Sequence, residues 1–453
     1  MRTPLQRGTR WSIAWVLLGA ACSSPPAAYD RGLSAWKQLA DQPPANLPAH
    51  IDDSSTLDDQ VRWASFHNPE VRAASQRWRA ALEVLPQATA LPDPRLTLGW
   101  FVSEVETRTG PMDWRLGISQ SLPWFGTLDL LGRIEASAAE SAREHLLAAR
   151  LEVVQTVREA FYELAWLAED IEVTRAHRDL LVSWETVART RYATGLGTDT
   201  DVLRAQVELG RLDDRLLSLQ DLRRPLAARL NAALDRPADA ALPSASLAHV
   251  SVEAGLLDAD RLRADLDQTS PILRSLQWKI TAAEDAIALA DKRYYPDVSF
   301  GLDYTRISSA RAAGVSGSGD DVLALTSGIS LPLRRTRLAA AAFQAEAELA
   351  AARADLDLAR NDLSARLELA LYHVRDAERR IDLYLNSLVP KGRQSVSSTT
   401  TAYQAGDADF LDLVDAQRVL LEFQRATARA RADHAQALAR VERLTGKQLL
   451  QEN

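Results

Sequence analysis

Cysteine occurs once in the 453 residues, at Cys22, so neither an intrachain disulfide framework nor a cysteine-based metal cluster is available. Methionine occurs twice, at Met1 and Met112, too few to gather a thioether site for Cu(I). The seven histidines (50, 67, 145, 177, 249, 373 and 434) include no pair at ligand spacing on one helix, which leaves them structural roles and no resident metal. Positive charge is not in excess either. A formal net charge of −8 opposes the phosphate neutralisation that nucleic-acid binding requires. "GVSGSG" (Gly314 to Gly319) lacks the strand, helix and Lys of a phosphate loop and is expected to be plain loop. No nucleophile, base or metal constellation is present, so the chain is expected to be neither an enzyme nor a cofactor carrier. Finally, beyond the first residues there is no apolar run of about 18, the length of a membrane-spanning helix. If this chain crosses a membrane, it must do so with strands.

What is present begins with Arg2, Arg7 and Arg10, followed by the short apolar stretch "WSIAWVLL" (Trp11 to Leu18) and the small residues Gly19, Ala20 and Ala21. That order marks residues 1–21 as a signal peptide. "LGAAC" resembles the lipobox of bacterial lipoproteins, with Gly19 where Leu is commonest and Leu18 one place further back. The resemblance implies cleavage before Cys22, lipid attachment at Cys22, and outer-membrane sorting, since the next residue is Ser23. Residues 22–58 would then be a lipid-anchored linker.

The remainder is written twice. "NPEVRAASQRWRAALE" from Asn68 parallels "SPILRSLQWKITAAED" from Ser270, and a shift of 202 positions carries both Pro69 onto Pro271 and Pro94 onto Pro296. "SLP" at Ser121 recurs at Ser330, a shift of 209, because the polar stretch "SSARAAGVSGSGDD" (Ser308 to Asp321) lengthens the second copy. Tyr192, Gly195 and Ala205-Gln206 map onto Tyr403, Gly406 and Ala416-Gln417, all shifted by 211. Matches in order with a slowly growing shift mean an internal duplication: residues 59–236, a connection 237–269, residues 270–446 and a tail 447–453.

Each copy changes period in the same sequence. Val71, Ala74, Trp78, Ala81, Leu82 and Leu85 form one helix face that Pro86 is expected to stop. Alternation follows, with Leu96, Leu98, Trp100 and Val102 on one face, then Trp114, Leu116 and Ile118, predicting a hairpin over about 95–121. In the second copy Val298, Phe300, Leu302 and Tyr304 alternate, then Leu323, Leu325, Ser327, Ile329 and Leu331, predicting a hairpin over about 297–331. A strand of about ten residues is long enough to cross a bilayer when tilted. Leu128 to Arg191 then holds no proline and one glycine, Gly132, predicting a rod about 95 Å long at roughly 1.5 Å per residue. Leu333 to Val389 repeats it, until Pro390 and Gly392 interrupt. Turns at about 192–200 and 403–411 lead into return helices, Asp201 to Leu234 and Leu411 to Leu444.

Four strands cannot close a barrel, since single-chain barrels need at least about eight, and an open edge in hydrocarbon is costly. Strands must therefore be pooled between copies. The duplicated order of helix, hairpin, rod, "Y-x-x-G" turn and return helix, with "SLPWFG" after the first hairpin and "DxxDAQ" after the second turn, resembles the TolC-type outer-membrane factor family. The resemblance implies a mainly α fold with a transmembrane β part: a homotrimer whose twelve-stranded barrel continues into a periplasmic helical barrel. It also implies the exit duct of a tripartite pump for metal cations or drugs, partnered by a periplasmic adaptor, a resistance-nodulation-division transporter of the inner membrane and outer-membrane lipid. A lipid-anchored periplasmic coiled-coil adaptor or scaffold is the alternative.

By the same resemblance Asp412 and Asp415 line the periplasmic constriction, six carboxylates in a trimer, while Asp407 and Asp409 are expected only to cap a helix. Tyr403 and the pair Thr200-Asp201 match residues that hold family tips shut, Gly195 and Gly406 match the repeat turn, and the family's arginine is replaced by Ala408. Trp100, Trp114, Trp124, Tyr294, Tyr295 and Tyr304 fit aromatic girdles.

Overall fold

The structure, a computed structural model, describes residues 26–247 and 258–446. The signal segment with Cys22, His249 and the tail 447–453 lie outside the described residues. The described residues divide into two compact units, one falling within Met1–Leu39, Arg77–Ala142 and Ser275–Leu356, the other within Ala40–Gln76, Arg143–Arg274 and Asp357–Asn453.

In the first unit the alternating stretches form one antiparallel sheet with strands β1 (Arg95–Thr107), β2 (Gly110–Leu122), β3 (Asp297–Ile307) and β4 (Val322–Ser330), in spatial order β1-β2-β3-β4. The central ladder joins the two sequence copies, β2 to β3, from Leu122↔Val298 to Met112↔Ile307. β1 and β4 are left as edges. The Ser308 to Asp321 loop folds back on the β1–β2 turn. Ser308 N–H donates to Pro111 O at 2.8 Å and Gly319 N–H to Thr109 O at 2.8 Å, while Arg311 pairs with Glu104.

The helices of this unit pack by close approach. Helix α1 (Ala27–Trp36) lies on α3 (Pro69–Thr89), where Gly32 leaves room for Leu82 and the Arg79 guanidinium sits 4.9 Å from the Trp36 ring centroid. Gly132 of α4 (Thr127–Ala193) serves the same end: a Cβ there would stand 2.6 Å from Thr89 Cγ2. α4 joins α7 (Pro271–Lys292) through Arg133 and Asp285 at 2.6 Å, and α7 joins α8 (Arg335–Leu383) through Glu284 and Arg353 at 3.1 Å.

The second unit is helical, adding α2 (Leu57–His67), α5 (Asp199–Ala233), α6 (Ala259–Thr269), α9 (Val389–Ala405) and α10 (Phe410–Thr445). Its centre is a ladder of ion pairs between α4 and α10: Glu152 with Arg443, Arg158 with Glu442, Glu159 with Arg440, Glu163 with Arg429 and Asp170 with Arg425. One number rises as the other falls, as two antiparallel helices in fixed register require. Arg158, Glu442 and Asp170 are buried, so losing one partner would strand a charge at a cost of about 3–5 kcal/mol. A slip of one residue would break the whole series.

Two departures from the sequence expectation, at Pro86 and Pro390, share a cause, proline tolerated inside helices. Pro86 does not stop α3, which runs on to Thr89. Leu82 and Leu85, both buried, hold the turn that the proline weakens. Pro225 is likewise inside α5. Pro390 and Gly392 do not break the second rod, because a π-helical turn at Tyr384–Leu388 takes up the extra residue before α9 continues. Gly392 marks a helix contact, since a Cβ there would lie 3.2 Å from Leu420 Cδ1. The connection between the copies also holds a regular helix, α6, capped by Asp258.

Candidate functional site: a two-faced sheet and two helix tips

Direct partners across a sheet share a face, so the register sorts the strands without further assumption. One face carries, row by row, Leu122, Val298 and Ile329; Phe300 with Gln120 and Ser327; Leu96, Ile118, Leu302 and Leu325; Leu98, Leu116, Tyr304 and Leu323; then, at its end, Trp100 and Trp114 with Arg306, which is paired with Asp321. Along β2 this apolar band covers about 27 Å at roughly 3.4 Å per residue, close to the height a barrel presents to lipid. The opposite face carries Thr97, Gly117, Asp303 and Ala324, with Arg115, Ser119, Gly301 and Thr326 in the adjoining rows. Here Arg115 Nη2 lies 2.9 Å from Asp303 Oδ2, and Thr326 Oγ1 donates to the same carboxylate at 3.2 Å. A sheet apolar on one side and ionic on the other, with no core covering either among the described residues, suits a wall between hydrocarbon and water.

Of the aromatic residues, Trp114 and Tyr304 meet at 5.4 Å towards one end of the band, and Trp124 stacks on Tyr295 at 5.1 Å at the other.

In the second unit the two turns have one geometry. Gly195 N–H donates to Tyr192 O and Leu196 N–H to Arg191 O; Gly406 N–H donates to Tyr403 O and Asp407 N–H to Ala402 O. Each closing glycine has positive φ, +75° at Gly195 and +90° at Gly406, the left-handed residue that ends a helix most cheaply. The next helices also start alike. Thr198 caps α5 by accepting from Asp201 N–H at 3.3 Å. Asp409 caps α10, and Asp412 Oδ2 accepts from Asp409 N–H at 3.2 Å, a reciprocal capping box.

The acids of the second tip differ in their contacts. α10 begins at Phe410, so Asp412 stands in its first turn and caps. Asp415, one turn on and exposed, has Arg418 Nη1 at 3.2 Å. Arg418 also grips Glu208 of α5, Nε to Oε1 at 3.0 Å and Nη2 to Oε2 at 2.6 Å. Those hydrogen bonds hold the Glu208 carboxyl below its ordinary range.

Tyr403 is 4% exposed, packed edge-on to Phe410 at 5.5 Å within a core that includes Trp184, Ala205 and Leu413. Its hydroxyl has no hydrogen-bond partner among the described residues, and burial, followed by the charge of Asp201, raises its pKa against the opposing effect of Arg191. Thus Asp201 acts on Tyr403 through space, not through a bond. Thr200 turns away, its hydroxyl 3.4 Å from Asp199 Oδ1.

The residue that joins the tips is one that sequence reasoning passed over. Arg191 Nη1 donates to Tyr403 O at 2.8 Å and Gln404 O at 3.2 Å, Nη2 donates to Leu196 O at 3.2 Å, and the guanidinium lies 4.9 Å from the Tyr403 ring centroid. A cation at the carbonyl end of α9 satisfies groups the helix cannot bond and opposes its negative end. The only hint in sequence was an arginine next to the tyrosine of the first turn. Ala408 stands where the family resemblance called for an arginine, and the arginine that bonds across the two tips here is Arg191, from the first copy.

The family model for outer membrane efflux proteins matches residues 63–236 and 262–447, one match to each copy. The chain belongs to that family. It is an outer-membrane efflux channel extending into the periplasm, a conduit and not an enzyme, and the adaptor or scaffold alternative falls away. Among curated relatives of this efflux protein, the cobalt-zinc-cadmium resistance protein CzcC of Cupriavidus metallidurans is 23% identical over 413 residues, 86% of this chain and 90% of that protein. Among solved structures, the outer membrane protein VceC of Vibrio cholerae has a TM-score of 0.69 at 23% identity, covering 86% of this chain and 96% of that one. The open-state MtrE outer membrane channel of Neisseria gonorrhoeae has a TM-score of 0.71 at 17% identity, covering 94% and 98%.

Proposed function

We propose that three copies of this efflux protein pool their strands into one twelve-stranded barrel. Its ionic face lines the lumen, and the helices close a periplasmic tube that ends at the tips. The observation that carries this reading is the sheet register, which leaves one apolar face, one ionic face and two open edges. Helix α8 supports lateral neighbours in the tube. Leu363, Leu367, Leu371, Val374 and Ile381 are buried on one side, while Leu358, Leu369, Tyr372 and Leu383 stand exposed about opposite at roughly 100° per residue. A helix apolar on two sides needs two neighbours, and the described chain supplies one side.

Arg191 and the Tyr403 pocket hold each chain's two tips together, and Asp412 and Asp415 ring the mouth, where six carboxylates would draw in cations and repel anions. The cargo that fits is divalent metal, passed on by a periplasmic adaptor from an inner-membrane transporter of the resistance-nodulation-division type, as the name of the curated relative suggests. Acylation of Cys22 would fasten the assembly to the membrane. In planar bilayers the wild type should conduct and be blocked by multivalent cations, and the double variant Asp412→Ala, Asp415→Ala should lose most of that block. Unchanged block would remove both acids from the mouth. Cells lacking the protein should become sensitive to cobalt, zinc and cadmium; sensitivity to drugs alone would transfer the cargo to the drug class.

A further inference from the structure

Where β2 passes into α4 and β4 into α8, a cavity of about 900 Å³ opens to solvent, with Leu131, Leu289 and Leu338 on its apolar wall. Lys292, Arg293 and Arg337 line it together with one carboxylate, Asp297. That carboxylate is already engaged, since Asp297 Oδ1 accepts the Trp124 N–H at 3.0 Å. Among the described residues none of the three cations has an ion-pair partner, and Lys292 Nζ lies instead 5.9 Å from the Tyr295 ring centroid. The hollow is left with an excess of positive charge, and its low-dielectric wall concentrates the field.

The two copies differ at this point. The shift of 209 that carries Ser121 onto Ser330 also sets Phe125, Gly126, Leu128 and Asp129 opposite Arg334, Arg335, Arg337 and Leu338. α4 therefore begins with an acid in its first turn, Asp129, and α8 with none. A helix start is the positive end of its dipole, which acids stabilise and cations oppose. The second copy has put arginines where the first keeps the favourable charge. Such a break in a local preference is expected at a functional site. An anion here would satisfy the helix start and the cations together.

Position and charge decide the kind of anion. Asp297 pairs directly with Ser330 in the same alternation that sets Asp303 against Ala324, so the cavity lies on the ionic face of the sheet. That face meets water, which favours a soluble ion. Three cations against one acid leave two charges to neutralise, more than a single chloride carries. A divalent oxyanion supplies both, and guanidinium groups match its oxygens two at a time while the lysine adds a point charge. We infer that this cavity binds a divalent oxyanion of the sulfate or phosphate type from solution, held by Lys292, Arg293 and Arg337 at the start of α8.

Its opening to the lumen rests on the reading of the ionic face given above, whereas binding does not, and the test separates the two. Isothermal titration of the purified full-length channel in chloride buffer should show sulfate bound, and the triple variant Lys292→Ala, Arg293→Ala, Arg337→Ala should bind it at least about tenfold more weakly. Arg337→Leu alone, which installs the residue of the first copy at an exposed position, should weaken binding by about threefold or more, and it decides the matter should the triple variant fail to assemble. Lys279→Ala, on the same helix as Lys292 but outside the cavity, should change nothing. A wild type that binds no sulfate overturns the site, as does binding unchanged in Arg337→Leu and the triple variant, or an equal loss from Lys279→Ala. In planar bilayers sulfate should make the wild-type conductance more selective for cations, because it neutralises a cationic collar. Sulfate bound without that change would keep the site and instead sink the luminal placement of the ionic face.

Discussion

The two tips of this efflux protein share a turn and differ in what fills it. Gly195 and Gly406 close equivalent loops, and Asp201 and Asp412 occupy equivalent places in the helices that follow. Yet Tyr192 is 54% exposed whereas Tyr403 is 4% exposed, and the arginine beside the exposed tyrosine reaches across to the carbonyls beside the buried one. Duplication supplied two copies of one device, and divergence has made one the clasp and the other the thing clasped. A turn's backbone survives divergence more readily than its contacts, because glycine and a capping side chain suffice for the former.

That contrast can be broken from its strongest point downwards. Tyr403→Ala should cost the second unit about 3–5 kcal/mol, as expected for emptying a buried aromatic site, whereas Tyr192→Ala should stay within about 0.5 kcal/mol. Thermal unfolding followed by helical signal would tell; equal losses would make the tips equivalent. Arg191→Ala should come next, about 1.5–3 kcal/mol of local stability for charged hydrogen bonds. It should show as faster amide exchange from Tyr403 to Asp407 and higher single-channel conductance. Arg191→Lys should restore only part, lacking the planar fork.

The shared features should respond alike. Gly195→Ala and Gly406→Ala should each cost about 1–2 kcal/mol, the penalty of a side chain in the left-handed region, and a large difference between them would deny the common turn. Smallest is the titration of Tyr403. Its pKa is raised chiefly by burial, so the neutral form is favoured in the folded tip. That contribution is whole below the ordinary value of about 10 and is lost as pH rises through the raised one. Spectrophotometric titration of Tyr403→Phe should therefore lack a tyrosine that ionises late in the wild type; loss of one ionising at the ordinary value would place Tyr403 in water.

Much of this was legible beforehand because it lies in periods and shifts. Alternation at Leu96 to Val102 and at Val298 to Tyr304 predicted the strands, and the shift of 211 paired the tips. Prolines misled where packing outweighed them, as at Pro86 and Pro390. The capping contact of Asp412 was not legible, because its donor is the main-chain N–H of Asp409, which the sequence alone does not place. The ion-pair ladder was present in composition, acids through Glu152 to Asp170 and arginines through Arg425 to Arg443, but partners need a register and a single helix does not state one. Arg191 was hidden for a related reason, since its acceptors are main-chain carbonyls, which every residue has.

The ladder between β2 and β3 has a bearing on how the protein is made. Trp124, just past β2, finds the Asp297 carboxylate at the start of β3 only across 173 positions of chain, so the middle of the sheet cannot zip until the whole first copy and the connection have been synthesised. Contacts so distant in sequence form slowly, because a long loop must close first. Until then two hairpins travel with open edges, the state most prone to sticking to other chains. The long helices, built from local bonds, can form meanwhile. Biogenesis should thus run from soluble rods to membrane wall, with the step most in need of a chaperone being the meeting of two hairpins that the gene keeps far apart.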